Sequence, residues 1–384
     1  MSPRLRLLAC VLLATQAACA QDVSIGVLGL FRPRQITLQA APAQAVIVHA
    51  GTKSFVLERS SGQHTAEVTV AGDDLILTVG DQSIRAASLR ASSRSNGVAD
   101  FVLNIPGRIT RQYRGVLEMK AVADMLVPVV QMNLETAVAS VVQAESAPDT
   151  PLEALKAQAV ATRSYFTAAR GRHHDFDFCD TTHCQFLREP PPPDSNASRA
   201  ALATRGLVLA YRDQAVAAMF TRSCGGRTRT PQEVGLSGHT YPYFPAVCDY
   251  CLRHPSRWVR RVSPGEAAEL RERGEASRLA VDRRLGWDAV PSNNFTIHRD
   301  PRGVVLLGRG EGHGIGLCQA GAKAMARSGA SFREILDHYY PNTVMVNRRH
   351  KVMPQPRATL AHPRIIKGYG KVIAVRSRGS PRRL

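Results

Sequence analysis

Residues 134–187 constrain this chain more than any other stretch: two helical patterns meet at a Pro-rich corner and run into a loop dense in His and Cys. In the first pattern Val138, Val141, Val142 and Glu145 fall at i, i+3, i+4 and i+7, so one helix face is apolar and ends in a carboxylate. A Glu that continues an apolar stripe faces desolvation, and one near a helix C-terminus faces the negative end of the dipole. Both effects favour the protonated carboxyl, the form that a general acid needs. The competing reading is a Glu that ends the helix and turns into solvent. The second pattern opens with Thr150 as the expected N-cap, Pro151 at N1 and Glu153 at N3, a capping box with a pre-set first turn. Leu152, Leu155, Ala159, Thr162 and Phe166 form its expected buried stripe. Lys156 and Arg163 share a different face, either solvated or lining one cleft with Glu145.

The loop that follows, GRHHDFDFCDTTHCQF, carries His173 or His174, Cys179 and Cys184 at spacings that could close around one zinc ion, with His183 as a further candidate. A Cys179–Cys184 disulfide is the alternative, favoured in an oxidising compartment. Pro190–Pro193 make a stiff linker. Two strand-like runs then flank a turn at Arg212-Asp213, and SCGGRT follows. Cys248 and Cys251 form a lone C-x-x-C, open to a zinc half-site, a small-loop disulfide or, less well supported, a redox pair. The sequence holds eight cysteines; without Cys10 and Cys19 of the leader six remain, which permits 15 disulfide pairings. A Cys224–Cys318 bond would staple two Gly-rich blocks together.

The run GRGEGHGIG sets Gly at every second position from 308 to 316. In an extended strand these would leave one bare face, suited to laying a polymer along it. Neither a dinucleotide fingerprint nor a P-loop is present. His313 either holds the Gly loop by a hydrogen bond or contacts a substrate, and Gln319 lies in the same block. A helix through AGAKAMARSG should stop at Gly329, and a capping box from Ser331 to Glu334 should start the next one. Residues 264–285 read as a charged, solvated helix and turn.

Residues 1–20 have a charged start, an apolar run too short to span a bilayer and an Ala18-Cys19-Ala20 cleavage site, the pattern of a secretory signal. No other stretch is apolar enough to cross a membrane, so an exported protein of the periplasm, envelope or extracellular space is expected. Short alternating or apolar runs such as QAVIVHAG, AEVTVAG and DFVLNI, separated by turn clusters, make residues 21–130 β-rich. Residues 131–345 form the mixed core and 346–384 a basic tail. The fold class is α+β, with helices and short strands around a Gly-rich cleft. The net charge of +19 brings nucleic acid to mind, but no recognised nucleic-acid module occurs; an exported chain meets anionic envelope polymers instead.

Glu145 followed by LEALKAQAVATRSY, then CDTTHCQ, then GHGIGLCQAGAKAMA and ILDHYYPNT resembles the sporulation-protein-D/amidase-enhancer (SpoIID/LytB) family, from about Tyr113 to Thr343. The resemblance implies action on bacterial cell-wall glycan. The position matching the family's essential Glu is Glu145, which makes it the expected acid of a peptidoglycan lytic transglycosylase. Lys156 and Arg163 fall on charged family positions, and His313 matches the family's Gly-His-Gly. These three and Gln319 are therefore the expected substrate-binding residues. Zinc held by His173, Cys179 and Cys184 is implied as a structural cofactor that shapes the cleft. Glycan strands are the implied partner, with an amidase or other wall enzyme as a second. The alternative function is a murein-binding amidase enhancer without catalysis of its own. A zinc-dependent hydrolase is less well supported, since no H-E-x-x-H occurs.

Overall fold

A computed structural model describes residues 22–347 except 238, 239, 273 and 287; the expected signal segment and the tail from 348 onward lie outside the described residues. The fold class is α+β, as expected. Eight α-helices occur among the described residues: α1 (Leu134–Glu145), α2 (Leu152–Ala168), α3 (Asn196–Ala203), α4 (Asp249–Arg253), α5 (Pro264–Glu269), α6 (Glu275–Leu285), α7 (Gln319–Arg327) and α8 (Phe332–Tyr339). The chain divides into two compact units. The first comprises the residues up to 220 together with the return segment from 316, and the second the residues 221–315. Among the described residues no helix is long and apolar enough to cross a membrane.

The first unit opens with a large, mostly antiparallel sheet. Its strands are β1 (Asp22–Gly26), β2 (Gln35–Ala40), β3 (Ala45–Ala50), β4 (Lys53–Glu58), β5 (Thr65–Ala71), β6 (Asp74–Val79), β7 (Gln82–Ala86), β8 (Ser88–Ser92), β9 (Ala99–Ile105), β10 (Ile109–Val122), β11 (Met125–Asn133) and the short β12 (Phe178–Cys179). One leaf runs β9-β2-β5-β6-β7 and the other β4-β3-β8-β10-β11-β1-β12. The long β10 joins them: its first half pairs with β9 up to Gly115, and from Val116 it pairs with β11. A Cβ at Gly115 would lie 2.5 Å from the main-chain oxygen of Gln131, so only glycine lets the backbones approach this closely where the sheet changes partner. Burial alternates along β2 and β9, and the inward set (Ile36, Leu38, Phe101, Leu103, with Tyr113 and Leu117 of β10) forms the core.

The last strand residue, Asn133, also starts the helical part: its side chain accepts from the N–H of Glu135 at 3.0 Å and caps α1. The expected stripe of α1 is buried at Val138, Val141 and Val142, each contributing roughly 1.5–3 kcal/mol of burial. Helix α2 departs from expectation in two ways. Its N-cap is Pro151, with no side-chain cap, so the Thr150–Glu153 capping box does not form. It is also buried nearly all round, from Ala154 to Ala168 apart from Lys156, rather than along one stripe. Its Ser164 hydroxyl accepts from the N–H of Leu209, fastening the strand Leu207–Tyr211. That strand pairs with Val344–Asn347 and, across the expected turn, with Gln214–Ala215. Arg212 and Asp213 both take left-handed φ (49° and 61°), the geometry of a tight hairpin.

The second unit has a three-stranded antiparallel sheet with Gly303–Arg309 between Arg257–Val262 and Phe295–Asp300. Trp258, Leu270, Val281, Val290, Phe295 and Leu306 pack as its core. Helix α6 is not simply solvated. Glu275, Arg278, Val281 and Asp282 are buried, and Arg278 bridges both carboxylates at 2.7 and 2.8 Å.

Candidate functional site

Glu145 is the last residue of α1 and is half-buried; Ser146 after it is extended. The C-terminal carbonyls of a helix lack intrahelical donors. The side chain of Gln319, the first residue of α7, supplies one by donating its Nε2 to the main-chain oxygen of Glu145 at 3.1 Å. Two expected site residues, 174 positions apart in sequence, therefore meet at this corner. The corner is clamped once more. Asp149 accepts from Lys323 at 2.5 Å and Arg327 at 2.6 Å, a basic i, i+4 pair on α7, and the Lys323 hydrogen bond holds its carboxyl below the usual range.

Lys156 pairs with Glu153 at 2.6 Å, and its ammonium lies 5.8 Å from the centroid of Phe332. The other oxygen of Glu153 accepts from the N–H of Phe332 at 2.8 Å. The carboxylate expected to cap its own helix thus serves the first turn of α8 instead. That helix keeps its expected capping box, Ser331 with Glu334. Arg163 is fully buried. Its guanidinium donates to both carboxylate oxygens of Glu135 (2.6 to 3.2 Å), to the main-chain oxygens of Ala159, Ala201 and Leu207, and to the Thr204 hydroxyl. It ties α1, α2, α3 and the strand after them into one block.

In the loop after α2, His173 Nε2 lies 3.3 Å from Cys184 Sγ, and His183 Nδ1 lies 3.6 Å from Cys184 Sγ and 3.7 Å from Cys179 Sγ. All four donor atoms fall within 4.8 Å of one another. Exposed His174 turns to Asp175. The set is therefore two imidazoles and two thiols, with His183 joining His173, and Cys179 and Cys184 remain separate thiols. Hydrogen bonds from Cys184, His173 and His183 pull the Cys179 thiol far below its ordinary value, whereas burial pushes Cys184 up. A borderline-soft, tetrahedral ion such as zinc suits these donors, and the cluster could hold a metal. The loop is fastened to β1: Asp177 accepts from the N–H of Ser24, Asp180 accepts from the N–H of Leu28, and Gly26 pairs with Cys179. A side chain at Gly26 would strike the ring of Phe176, which stacks on His173 at 4.6 Å between centroids.

Beyond Gly308, which lies in the strand Gly303–Arg309, the Gly run is not an extended strand. Gly310, Gly312, Gly314 and Gly316 all have φ between 70° and 91°, a left-handed backbone that glycine adopts without strain, so the alternation serves a folded path rather than a bare strand face. Thr221 holds this path, donating its hydroxyl to the Glu311 oxygen and accepting from the N–H of Gly314. His313 Nδ1 accepts from the N–H of Ile315 at 3.0 Å. Burial alone would raise the carboxyl of Glu275; the bonds from Arg278, reinforced by His313 and Asn293, hold it below its ordinary value. Tyr241 and Tyr243 are buried against each other. Glu145, Lys156, Arg163, Gln319 and the His/Cys loop belong to the first unit, and His313 to the second.

The chain belongs to the SpoIID family, whose model, described as stage II sporulation protein, matches residues 123–211. The match spans α1, α2 and the loop after them. An uncharacterized protein of Brachyspira hyodysenteriae is 30% identical over 269 residues, 62% of this chain and 73% of that protein. The amidase enhancer of Bacillus subtilis is 25% identical over 276 residues, 51% of this chain and 38% of that protein.

Proposed function

We propose that this chain is an exported peptidoglycan lytic transglycosylase with Glu145 as its general acid and base. The observation that carries the reading is the placing of Glu145: half-buried, at the C-terminal end of an apolar helix, in a corner held by Gln319 and by the Asp149 clamp. To act as the acid, a carboxyl there must carry its proton when the substrate arrives. Glu145 would give its proton to the glycosidic oxygen between N-acetylmuramic acid and N-acetylglucosamine as the bond to the muramyl anomeric carbon breaks. The muramyl C6 hydroxyl then closes on that carbon and returns its proton to the carboxylate, leaving a 1,6-anhydro end. One carboxylate suffices because the nucleophile is intramolecular, so no second carboxylate need stand at glycosidase distance.

Lys156 would position the sugar and meet developing charge, Gln319 would fix the acid, and Arg163 would act from beneath by holding the helices that carry it; His313, in the second unit, would be a sugar contact of that unit. If zinc is present in the loop, His173, Cys179, Cys184 and His183 would hold it. Four protein ligands leave no open position, so its contribution would be structural. The positive net charge would favour anionic wall polymers. A second reading has one observation in its favour, the name of the Bacillus subtilis relative: a murein-binding enhancer of an amidase. The test is release of soluble fragments from purified sacculi by the protein alone. Glu145→Gln, with an unchanged folded spectrum, should lose at least about 100-fold in rate. If wild type and variant both release nothing, yet both accelerate an added amidase equally, the enhancer reading replaces the enzyme.

A further inference from the structure

A second set of thiols lies in the second unit, whereas the His/Cys loop belongs to the first. Cys224, Cys248 and Cys251 are each almost completely buried, and their sulfurs lie within 4.8 Å of one another. The surrounding chain is built to bring them there. Cys224 sits in the SCGG turn, where Gly225 and Gly226 take φ of 73° and 122°, and a side chain at Gly226 would strike Leu252. The Gly226 oxygen accepts from the N–H of Cys248 at 2.9 Å, and Arg227 bridges Val247. Cys248 is the N-cap of α4 and Cys251 lies in its first turn, so the C-x-x-C presents both thiols on one side of a tight turn. The Ser223 hydroxyl lies 3.5 Å from Cys251 Sγ, the kind of outer partner that orients a ligating sulfur.

We propose that Cys224, Cys248 and Cys251 bind a structural zinc ion, as three of its four donors. Within the second unit a disulfide would join only two of the three sulfurs, whereas a metal uses all three. Binding turns three thiols into thiolates, releases their protons to solvent and sets a divalent charge among them, so that two of the three buried negative charges are compensated. The ion would pin the glycine turn to the C-x-x-C turn, a task that otherwise falls to a few backbone hydrogen bonds in a unit with a small core.

The test begins from the full-length mature chain carrying Cys179→Ser and Cys184→Ser, which removes the thiols of the other cluster. Purified with reductant and measured by elemental analysis, it should retain one zinc per chain. After exchange to cobalt it should show thiolate-to-cobalt charge-transfer absorption. Adding Cys251→Ser should abolish both signals, and Cys251→His, which supplies another zinc donor, should restore the bound metal. Because Cys251→Ser could fail to fold, chelator titration of the Cys179→Ser/Cys184→Ser protein gives an independent readout: release of one zinc with loss of near-ultraviolet ellipticity supports the site. Absence of zinc from that protein overturns the proposal. So does peptide mapping that finds Cys224, Cys248 or Cys251 in a disulfide, with one another or with Cys318.

Discussion

Arg163 has every donor group engaged and no exposed surface, so its replacement is a test of architecture rather than of charge. Arg163→Met leaves the Glu135 carboxylate half-buried without its partner and strands three main-chain oxygens. The expected cost is about 3–5 kcal/mol, read by denaturant unfolding. Arg163→Lys should recover only part of this, because an ammonium cannot reproduce the planar fork. The sequence placed Arg163 beside Lys156 on a charged face, which the spacing alone permits. Its true partner lies 28 residues earlier on another helix, and helical periodicity carries no signal for a pairing across helices. The same blindness hid the Asp149 clamp and sent Glu153 to its own helix. His183 was a further candidate in the loop, but which imidazoles face the sulfurs depends on ring directions that spacing does not fix.

Among the elements, those with strong local chemistry were legible: the α1 stripe, the Ser331–Glu334 capping box and the Arg212-Asp213 turn. Strands with polar or Pro-interrupted runs, such as β8 and β11, were not, since neighbouring strands rather than their own pattern define them. Helix α6 misled because its charges are buried as a compensated group. Its pH dependence has a definite sign. Glu275 is held below its ordinary value of 4.5, so its contribution is present above that pH and is lost as pH falls through the lower folded-state value. Asp282 is raised by burial and works in the opposite direction, its contribution fading as pH rises. The difference between wild type and Glu275→Gln isolates the first effect: a stability gap at neutral pH that narrows below about pH 4.5. A gap that stays constant across the acid range would contradict the assignment. In the sheet, Gly115→Val forces a side chain against the backbone of Gln131 and should cost at least about 1–3 kcal/mol in chemical unfolding.

At the scale of the whole molecule, family membership and α+β class were legible because ordered blocks of sequence carry them. The path of the Gly run was not, since alternating glycines serve an extended strand and a left-handed path equally well until the backbone is seen. The net charge of +19 predicts that binding to purified murein sacculi weakens strongly between about 0.05 and 0.5 M salt, as screening shortens the reach of surface charge. Pelleting that is indifferent to salt would remove electrostatics from the account of wall binding. The central claim concerns the bond that is broken. Mass spectrometry of purified glycan strands incubated with the mature protein, and in parallel with Glu145→Gln, tests it most directly. The account predicts 1,6-anhydro-muramic ends from the wild type and none from the variant. Reducing-end products, or anhydro ends formed equally by Glu145→Gln, would contradict it.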